Sequence, residues 1–189
     1  MTFWPEDYTK AWTLAGESVR SGVGLHSGAT GTVRLRGSES PGIHLRFEGS
    51  NQAIRLAPEQ VRDSQLCTTL NLGDHQVATV EHLLAALAGC GLSHVEIELD
   101  GHEVPLLDGS ALGWVEAIDE AGVAAAPTQR LDAPVLEGPL VFHRGSSVIT
   151  ATPADRFRVV GMIDFPQAAI GQQQLTLDMT PQTFVDQIA

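Results

Sequence analysis

Glu81 and His82 are adjacent residues whose side chains could act together on a metal-bound water. In such an arrangement a neutral imidazole binds the metal, and an ionised carboxylate removes a proton from the water. A helix N-terminus favours this charge state, because its dipole stabilises a carboxylate and disfavours an imidazolium. A Glu-His pair at a helix start is more often a cap or a hydrogen-bonded polar pair in a core. The pair by itself leaves both interpretations open.

The stretch 79–89, TVEHLLAALAG, is the strongest helix signal in the sequence and carries this pair in its first turn. Its apolar side chains recur with a period of about 3.6 residues, which predicts one buried stripe. The stripe consists of Val80, Leu83, Leu84, Leu87 and Ala88. Thr79 is expected to cap the helix, and Gly89 or Gly91 to end it. The opposite face is small and apolar, so we expect it to be covered too; its residues are Ala85, Ala86 and Gly89.

The composition describes a globular protein, since 43% of the 189 residues are hydrophobic and 18% are charged. The net charge is −12, from 23 acidic and 11 basic residues, so we expect neither nucleic acid nor an anionic membrane surface as a partner. The N-terminus has no signal-peptide pattern, and the longest apolar run, 83–88, is too short to span a bilayer. Cys67 and Cys90 are too few for a disulfide framework, which predicts two thiols and a reducing cytosol.

The order of elements in the first two thirds of the chain predicts an α+β fold. Strands are expected at 13–20, 30–36, 43–47, 66–72, 76–78 and 95–99. A second helix is expected after Asp108 and Ser110, which we interpret as its cap, and it should end at Gly122. Its inward side chains are expected to be Leu112, Val115 and Ile118. The three glycines of the stretch 22–28 indicate positive φ or a close backbone approach. Strands followed by helices in this order predict helices on one face of a mixed sheet.

A linker at 124–130 is expected to lead into a second set of strands. These strands are predicted at 140–142, 148–151, 157–163 and 174–178. Thr180 and Pro181 are typical of a helix start, with the chain stopping soon afterwards at Ala189. We therefore expect the second sheet to lack its cover and to leave three side chains partly exposed, namely Val159, Ile163 and Phe184. The expected organisation is an N-terminal arm at 1–12, held loosely, a first α+β domain at 13–126 and an incomplete second α+β domain at 127–189.

Four stretches follow one another in an informative order. They are GVGLHSG at 22–28, LCTTL at 66–70, TVEHLL at 79–84 and EVPLLDGS at 103–110. Together they resemble the zinc-dependent UDP-3-O-acyl-N-acetylglucosamine deacetylase family, which performs the committed step of lipid A biosynthesis in the bacterial cytoplasm. The resemblance runs from about Thr13 to the end of the chain. It implies a sandwich of two domains, each a mixed sheet with two helices packed inward, the second being truncated here.

The resemblance also assigns roles to five residues. It makes His82 a zinc ligand and Glu81 the general base that activates water. Leu25 and His26 match a loop near the family's active site, and Cys67 matches a residue beside the zinc, so all three are expected to bind the substrate, UDP-3-O-acyl-N-acetylglucosamine. A turn histidine at position 26 and a small buried hydrophobe at position 67 are the structural alternatives.

The sequence departs from the family in its second half. The family's other two zinc ligands are a His and an Asp in a His-Lys-x-x-Asp-x-x-Gly-Asp segment, and a further catalytic His follows. This chain contains no His-x-x-x-Asp. A catalytic zinc site uses about three protein ligands and a water. Either the chain is a fragment of a longer enzyme, or it is a shortened, non-catalytic relative that binds a sugar nucleotide or another partner.

Overall fold

A computed structural model describes residues 4–62, 66–131 and 135–189 of the chain, with only the backbone given for Gln129 and Arg130. The fold class is α+β, as predicted, with three helices, one seven-stranded sheet and three smaller sheets in the described residues. Residues 1–3 of the predicted arm lie outside the described residues. By its internal contacts the chain divides into two compact units, which are 1–130 together with 180–189, and 131–179. The predicted domain boundaries at 12 and 126 stay a prediction.

The first unit contains ten strands and three helices among its described residues. The strands are β1 (Lys10–Leu14), β2 (Glu17–Val23), β3 (Thr30–Gly37), β4 (Gly42–Phe47), β5 (Ala53–Arg55), β6 (Val61–Arg62), β7 (Thr69–Leu72), β8 (His75–Ala78), β9 (His94–Asp100) and β10 (Val123–Arg130). The helices are α1 (Glu81–Gly89), α2 (Leu112–Ala121) and α3 (Pro181–Gln187). A single 3-10 turn lies at Pro58–Gln60.

One mixed sheet of seven strands forms the centre of this unit. Strand β9 lies in the middle of this sheet. One edge of β9 pairs with β3, which runs antiparallel to it, and the other edge pairs with β4, which runs parallel. Strand β2 extends the sheet beyond β3, and β1 joins it at Thr13, which pairs with His94. Strand β1 begins inside the stretch expected to be a loosely held arm, and its Ala11 is only 2% exposed. This end of the arm is therefore part of the sheet.

The two faces of the sheet differ in polarity, as expected for a sheet covered by helices on one side. The inner face of β9 presents Val95, Ile97 and Leu99, all fully buried. On the opposite face the carboxylate of Glu96 accepts hydrogen bonds from Arg36 at 2.5 Å and from Arg46 at 2.9 Å. Helix α2 packs against β2, β3 and α1 and buries Trp114 completely. The core therefore lies between the sheet and its two long helices.

The helices begin and end close to the predicted residues, with two corrections on their faces. Helix α2 ends at Gly122 with φ of 73°, as predicted, and buries Val115 and Ile118. Leu112 was expected to face inward, but it is 43% exposed, because Trp114 takes the inward position of the first turn. On α1, Ala86 and Gly89 are covered as expected, whereas Ala85 and the predicted stripe residue Ala88 are exposed.

The expected capping of α1 by Thr79 is wrong. No side chain caps this helix, and Thr79 has a left-handed backbone with φ of 58°. Its hydroxyl instead donates to a carboxylate oxygen of Glu103 at 2.9 Å. The predicted hairpin of β7 and β8, which turns at Gly73, precedes helix α1. Gly91, with φ of 80°, follows the end of the helix. The helix position was therefore predictable, but the partner of Thr79 was not.

The second unit consists of two antiparallel hairpins. They are formed by β11 (Leu140–Arg144) with β12 (Ser147–Ala151), and by β13 (Arg158–Asp164) with β14 (Gln172–Asp178). The strands were predicted close to these positions, and the first hairpin turns at Gly145, whose φ is 60°. All four strands were expected to continue one sheet, but each hairpin forms a separate two-stranded sheet. Val159 and Ile163 are each 44% exposed, as expected for strands whose apolar side chains lack a cover.

Phe184 is buried, contrary to expectation. Thr180 caps α3 as predicted, accepting a hydrogen bond from the Thr183 amide at 3.0 Å. The helix then packs on α1, where the Phe184 ring lies so close to Gly89 that an added Cβ would overlap it. Phe184 is consequently only 4% exposed. The hydroxyl of Tyr8 donates to the Gly89 carbonyl at 3.0 Å, so this small residue is a contact point for two distant parts of the unit.

No helix within the described residues combines the length and the apolar character needed to cross a membrane.

Replacing Gly89 by Ala tests the packing of α3 on α1. Alanine is the better helix former by about 1 kcal/mol, so helix propensity alone predicts stabilisation. We expect the opposite, a loss of about 1–3 kcal/mol in the free energy of unfolding, because the new methyl group must displace the Phe184 ring. Denaturant unfolding of the variant and of the parent measures this difference in the free energy of unfolding.

Gly161→Ala is the matched control, because nothing lies within 4 Å of a Cβ at that position. It should change stability little. A Gly89→Ala chain as stable as the parent would contradict the close approach of Phe184.

Candidate functional site

The carboxylate of Glu81 is held at one oxygen and unpartnered at the other. The amide of Thr68 donates to Oε1, which joins the loop before β7 to the first turn of α1. Oε2 is buried and has no hydrogen-bond partner among the described residues. Buried carboxylate oxygens normally find donors, because leaving one unpaired costs about 1–3 kcal/mol or more. Oε2 is thus a hydrogen-bond acceptor of fixed orientation for which the described residues supply no donor.

His82 is half-buried and lies beside the turn that precedes α2. In that turn Asp108 accepts hydrogen bonds from the amide and the hydroxyl of Ser110, both at 2.9 Å. These bonds lower the pKa of Asp108, and the imidazole of His82 adds a smaller electrostatic contribution in the same direction. The Ser110 hydroxyl in turn accepts from the Leu112 amide at 3.0 Å. Asp108 therefore supports the turn before α2 through Ser110. The N-cap residue of α2 is Ala111, which has no side-chain cap, so the expected capping by Asp108 is wrong, and Ser110 supports the helix start only through the Leu112 amide.

Cys67 lies next to the residue that holds Glu81. Its Sγ is 3.7 Å from the hydroxyl of Thr69, and the side chain is half-buried. The amide that binds Glu81 belongs to the intervening Thr68. Cys67 is therefore next in sequence to the residue whose amide binds Glu81, while its predicted place beside the zinc and its substrate-binding role stay predictions.

Leu25 and His26 lie in the turn between β2 and β3. Backbone hydrogen bonds close this turn, from the Gly24 amide to Ala29 at 2.9 Å and from the Gly28 amide to Gly24 at 3.1 Å. The Leu25 side chain is 56% exposed. The amide of His26 donates to Oε1 of Glu103 at 2.9 Å. A role of these two side chains in substrate binding stays a prediction.

Glu103, the first residue of the stretch 103–110, connects this turn to the start of α1, and no role was predicted for it. Its carboxylate accepts from three donors, the amides of His26 and Ser27 at 2.9 and 2.7 Å and the hydroxyl of Thr79 at 2.9 Å. We call these four residues the Glu103 cluster. Burial alone would raise the pKa of Glu103, but the hydrogen bonds from Ser27, His26 and Thr79 outweigh it and lower the pKa to about 2. Glu103 is therefore an ionised group that is only 6% exposed.

One signal in the sequence pointed towards this cluster. The glycines of the stretch 22–28 predicted a close backbone approach, and a Cβ at Gly24 would overlap the Glu103 carboxylate and lie 2.6 Å from the Ser27 hydroxyl. The stretch 101–105, by contrast, resembles an ordinary turn, with no periodicity to mark a buried acid. The approach was predictable from the sequence, but its partner was not.

The predicted residues thus fall into two connected groups. Glu81 and Cys67 meet through Thr68, and the turn of Leu25 and His26 reaches Thr79, two residues before Glu81, through Glu103. Within the described parts of the chain, no three or more His, Cys, Asp or Glu side chains are grouped so that they could hold a metal ion. The site as described offers one imidazole, His82, and one oriented carboxylate oxygen.

Comparison with known proteins gives consistent results. A profile of the family described as UDP-3-O-acyl N-acetylglycosamine deacetylase matches residues 11–189. A protein of Oleidesulfovibrio alaskensis with the name UDP-3-O-acyl-N-acetylglucosamine deacetylase is 37% identical over 172 residues, which cover 89% of this chain and 56% of that protein. Its namesake in Thermosynechococcus vestitus is 40% identical over 181 residues, covering 94% and 62%. Another, from Nitratidesulfovibrio vulgaris, is 40% identical over 167 residues, covering 87% and 54%. The chain therefore spans between a half and two thirds of the length of these relatives.

The two cysteines should differ sharply in reactivity. Neither forms a disulfide, but Cys90 is fully buried and burial raises the pKa of its thiol to about 12. Because the thiolate is the reacting form, we expect a maleimide at pH 7.5 to modify Cys67 at least about 100-fold faster than Cys90 in the native chain. Timed mass spectrometry of the labelled protein measures both rates.

Cys67→Ser is the control, since its native form should take up almost no label until denaturant exposes Cys90. Equal labelling of both thiols in the native parent would contradict the burial of Cys90. An unlabelled mass two protons below the dithiol form would contradict the absence of a disulfide.

Proposed function

The chain belongs to the UDP-3-O-acyl N-acetylglycosamine deacetylase family, and we propose on this premise that the protein hydrolyses the acetamide of UDP-3-O-acyl-N-acetylglucosamine. Glu81 is the general base of this reaction and His82 a zinc ligand. The observation that carries the proposal is the buried, unpartnered Oε2 of Glu81, next in sequence to a half-buried imidazole. The reaction belongs to lipid A biosynthesis, and we expect it to take place in the cytoplasm.

Zinc suits the donors that this chain supplies. An imidazole is a preferred zinc ligand, and a carboxylate oxygen with no protein donor can accept a hydrogen bond from water beside a metal. When bound, zinc polarises a carbonyl and lowers the pKa of a bound water. About three protein ligands are needed, and the described residues group no such set, so His82 is one member of a set completed outside them.

The residues of this chain have separate tasks in the proposed hydrolysis. The Thr68 amide fixes Oε1 of Glu81, which leaves Oε2 as the oxygen that would accept a proton from the attacking water. Glu81 lies in the first turn of α1, at the end of the helix where the dipole favours a negative charge. Glu81 takes a proton from the water as its oxygen attacks the acetamide carbon. The C–N bond then breaks, and the leaving amine takes up the proton that Glu81 accepted from the water, so that the products are acetate and the free 2-amino sugar nucleotide.

A non-catalytic role is the second candidate. The observation in its favour is that the described residues hold no group of three metal-binding side chains. A protein of this kind would bind a sugar nucleotide or another partner without hydrolysing it. Purified, zinc-loaded gene product that binds the nucleotide but releases no acetate would favour this role.

Variants of Glu81 and His82 test the proposed roles, because the loss of each side chain should have a different effect on zinc content and turnover. In the complete gene product, Glu81→Gln preserves size but loses the base. Zinc should stay near one per chain while kcat falls by about 100-fold or more. His82→Ala removes a ligand, so both zinc content and turnover should fall. Metal analysis and an acetate-release assay measure the two effects.

Matched controls are Glu59→Gln and His143→Ala, at exposed positions with no proposed role. Both should behave as the parent. A fully active Glu81→Gln enzyme would remove the general-base assignment, and a His82→Ala enzyme that retains its zinc would show that the metal is held by other residues.

A further inference from the structure

We propose that Glu103 is a positioning residue that holds the turn 24–27 against the start of α1. Through the Glu103 cluster it fixes Leu25 and His26 relative to Glu81 and His82. Its importance for turnover depends on the proposed function, whereas the positioning itself does not.

A single oxygen makes the connection. Oε1 of Glu103 accepts from the His26 amide and from the Thr79 hydroxyl, both at 2.9 Å, while Oε2 accepts from the Ser27 amide at 2.7 Å. The turn and the helix start therefore meet at one atom, and movement of either one breaks a bond to an ionised group. Hydrogen bonds to charged groups are about twice as strong as neutral ones. The bond from Thr79 is buried, and the two bonds from the turn are partly buried.

The backbone around Thr79 supports the same conclusion. A β-branched residue rarely adopts positive φ, and such strain persists only where the surroundings enforce it. Thr79 has a φ of 58° and immediately precedes the first residues of α1. The backbone of Ala78 forms two hydrogen bonds with the segment that carries Glu103. Its amide donates to the His102 carbonyl at 3.0 Å, and its carbonyl accepts from the Val104 amide at 3.1 Å. The direction in which α1 begins is thus set by this segment.

Only a carboxylate meets the demands of the position. All three donors point at Glu103, so an acceptor-only group is required, and a glutamine would turn its NH₂ towards at least one of them. The turn has no spare room either, because a Cβ at Gly24 would overlap the carboxylate. An aspartate is one methylene shorter and cannot keep both oxygens at their partners.

The first experiment measures positioning without catalysis. In the complete gene product, Glu103→Gln should accelerate amide hydrogen exchange in peptides covering 24–28 by at least about tenfold. Exchange in the sheet strand β9 should not change, and Glu59→Gln is the control. Unchanged exchange at 24–28 would overturn the proposal.

The second experiment measures the consequence for the reaction and serves if Glu103→Gln fails to fold. Thr79→Val keeps the shape and branching of the side chain but removes the hydroxyl that Glu103 accepts from. We expect KM to rise at least about fivefold with kcat within about twofold, since the turn binds substrate and Glu81 acts on it. Thr79→Ser keeps the hydroxyl and should restore the parent KM.

The outcomes separate the two proposals. If the parent shows no deacetylation but Glu103→Gln still loosens the turn, the proposed function fails and the positioning stands. If the parent is active and Thr79→Val keeps the parent KM, the positioning role is overturned while the proposed function stands.

Discussion

A buried negative charge at Glu103 is the constraint on which the geometry of the first unit's site depends. An ionised carboxylate that is only 6% exposed is stable only with donors around it. The chain supplies them from two distant segments, the turn at 26–27 and Thr79. Satisfying one charge therefore brings together the stretch 22–28, the stretch 103–110 and the start of α1. Three of the four motifs that suggested the family meet in this way.

Two glutamates in this region have opposite surroundings, which suits them to different work. Glu103 has both oxygens occupied by protein donors, and its low pKa of about 2 keeps it a permanent anion with a structural task. Glu81 has one oxygen held by Thr68 and one left without a described partner. A carboxylate that is oriented but not saturated can accept a proton from a reacting water. Different environments thus suit two identical side chains to different roles, which supports the general-base role proposed for Glu81.

Local patterns predicted much of the fold, because they depend on neighbours in the sequence. The period of the apolar residues placed α1 and β9, and glycines marked the ends of α1 and α2. The errors arose where a distant partner decided the outcome. Threonine is a typical N-cap residue, but the hydroxyl of Thr79 donates a hydrogen bond to Glu103 and does not cap α1. Phe184 was expected to lack a cover, but Gly89, nearly a hundred residues earlier, leaves room for its ring. The proposed site residues were likewise selected from motifs. Glu103 lies at the start of one of these motifs, but its hydrogen-bond partners were not predictable from the sequence.

The pKa of Glu103 tests the central claim most directly, and it can be measured by following the side-chain carboxyl carbon of ¹³C-labelled protein through an acid titration. Because its folded pKa is lowered from 4.5 to about 2, the signal should not move between pH 6 and about pH 3.5, while exposed glutamates titrate. Stability from this group is present above its unfolded pKa and is lost as the pH falls towards 2. A Glu103 signal that titrates with a midpoint near 4.5 in the folded protein would contradict the buried, fully hydrogen-bonded anion.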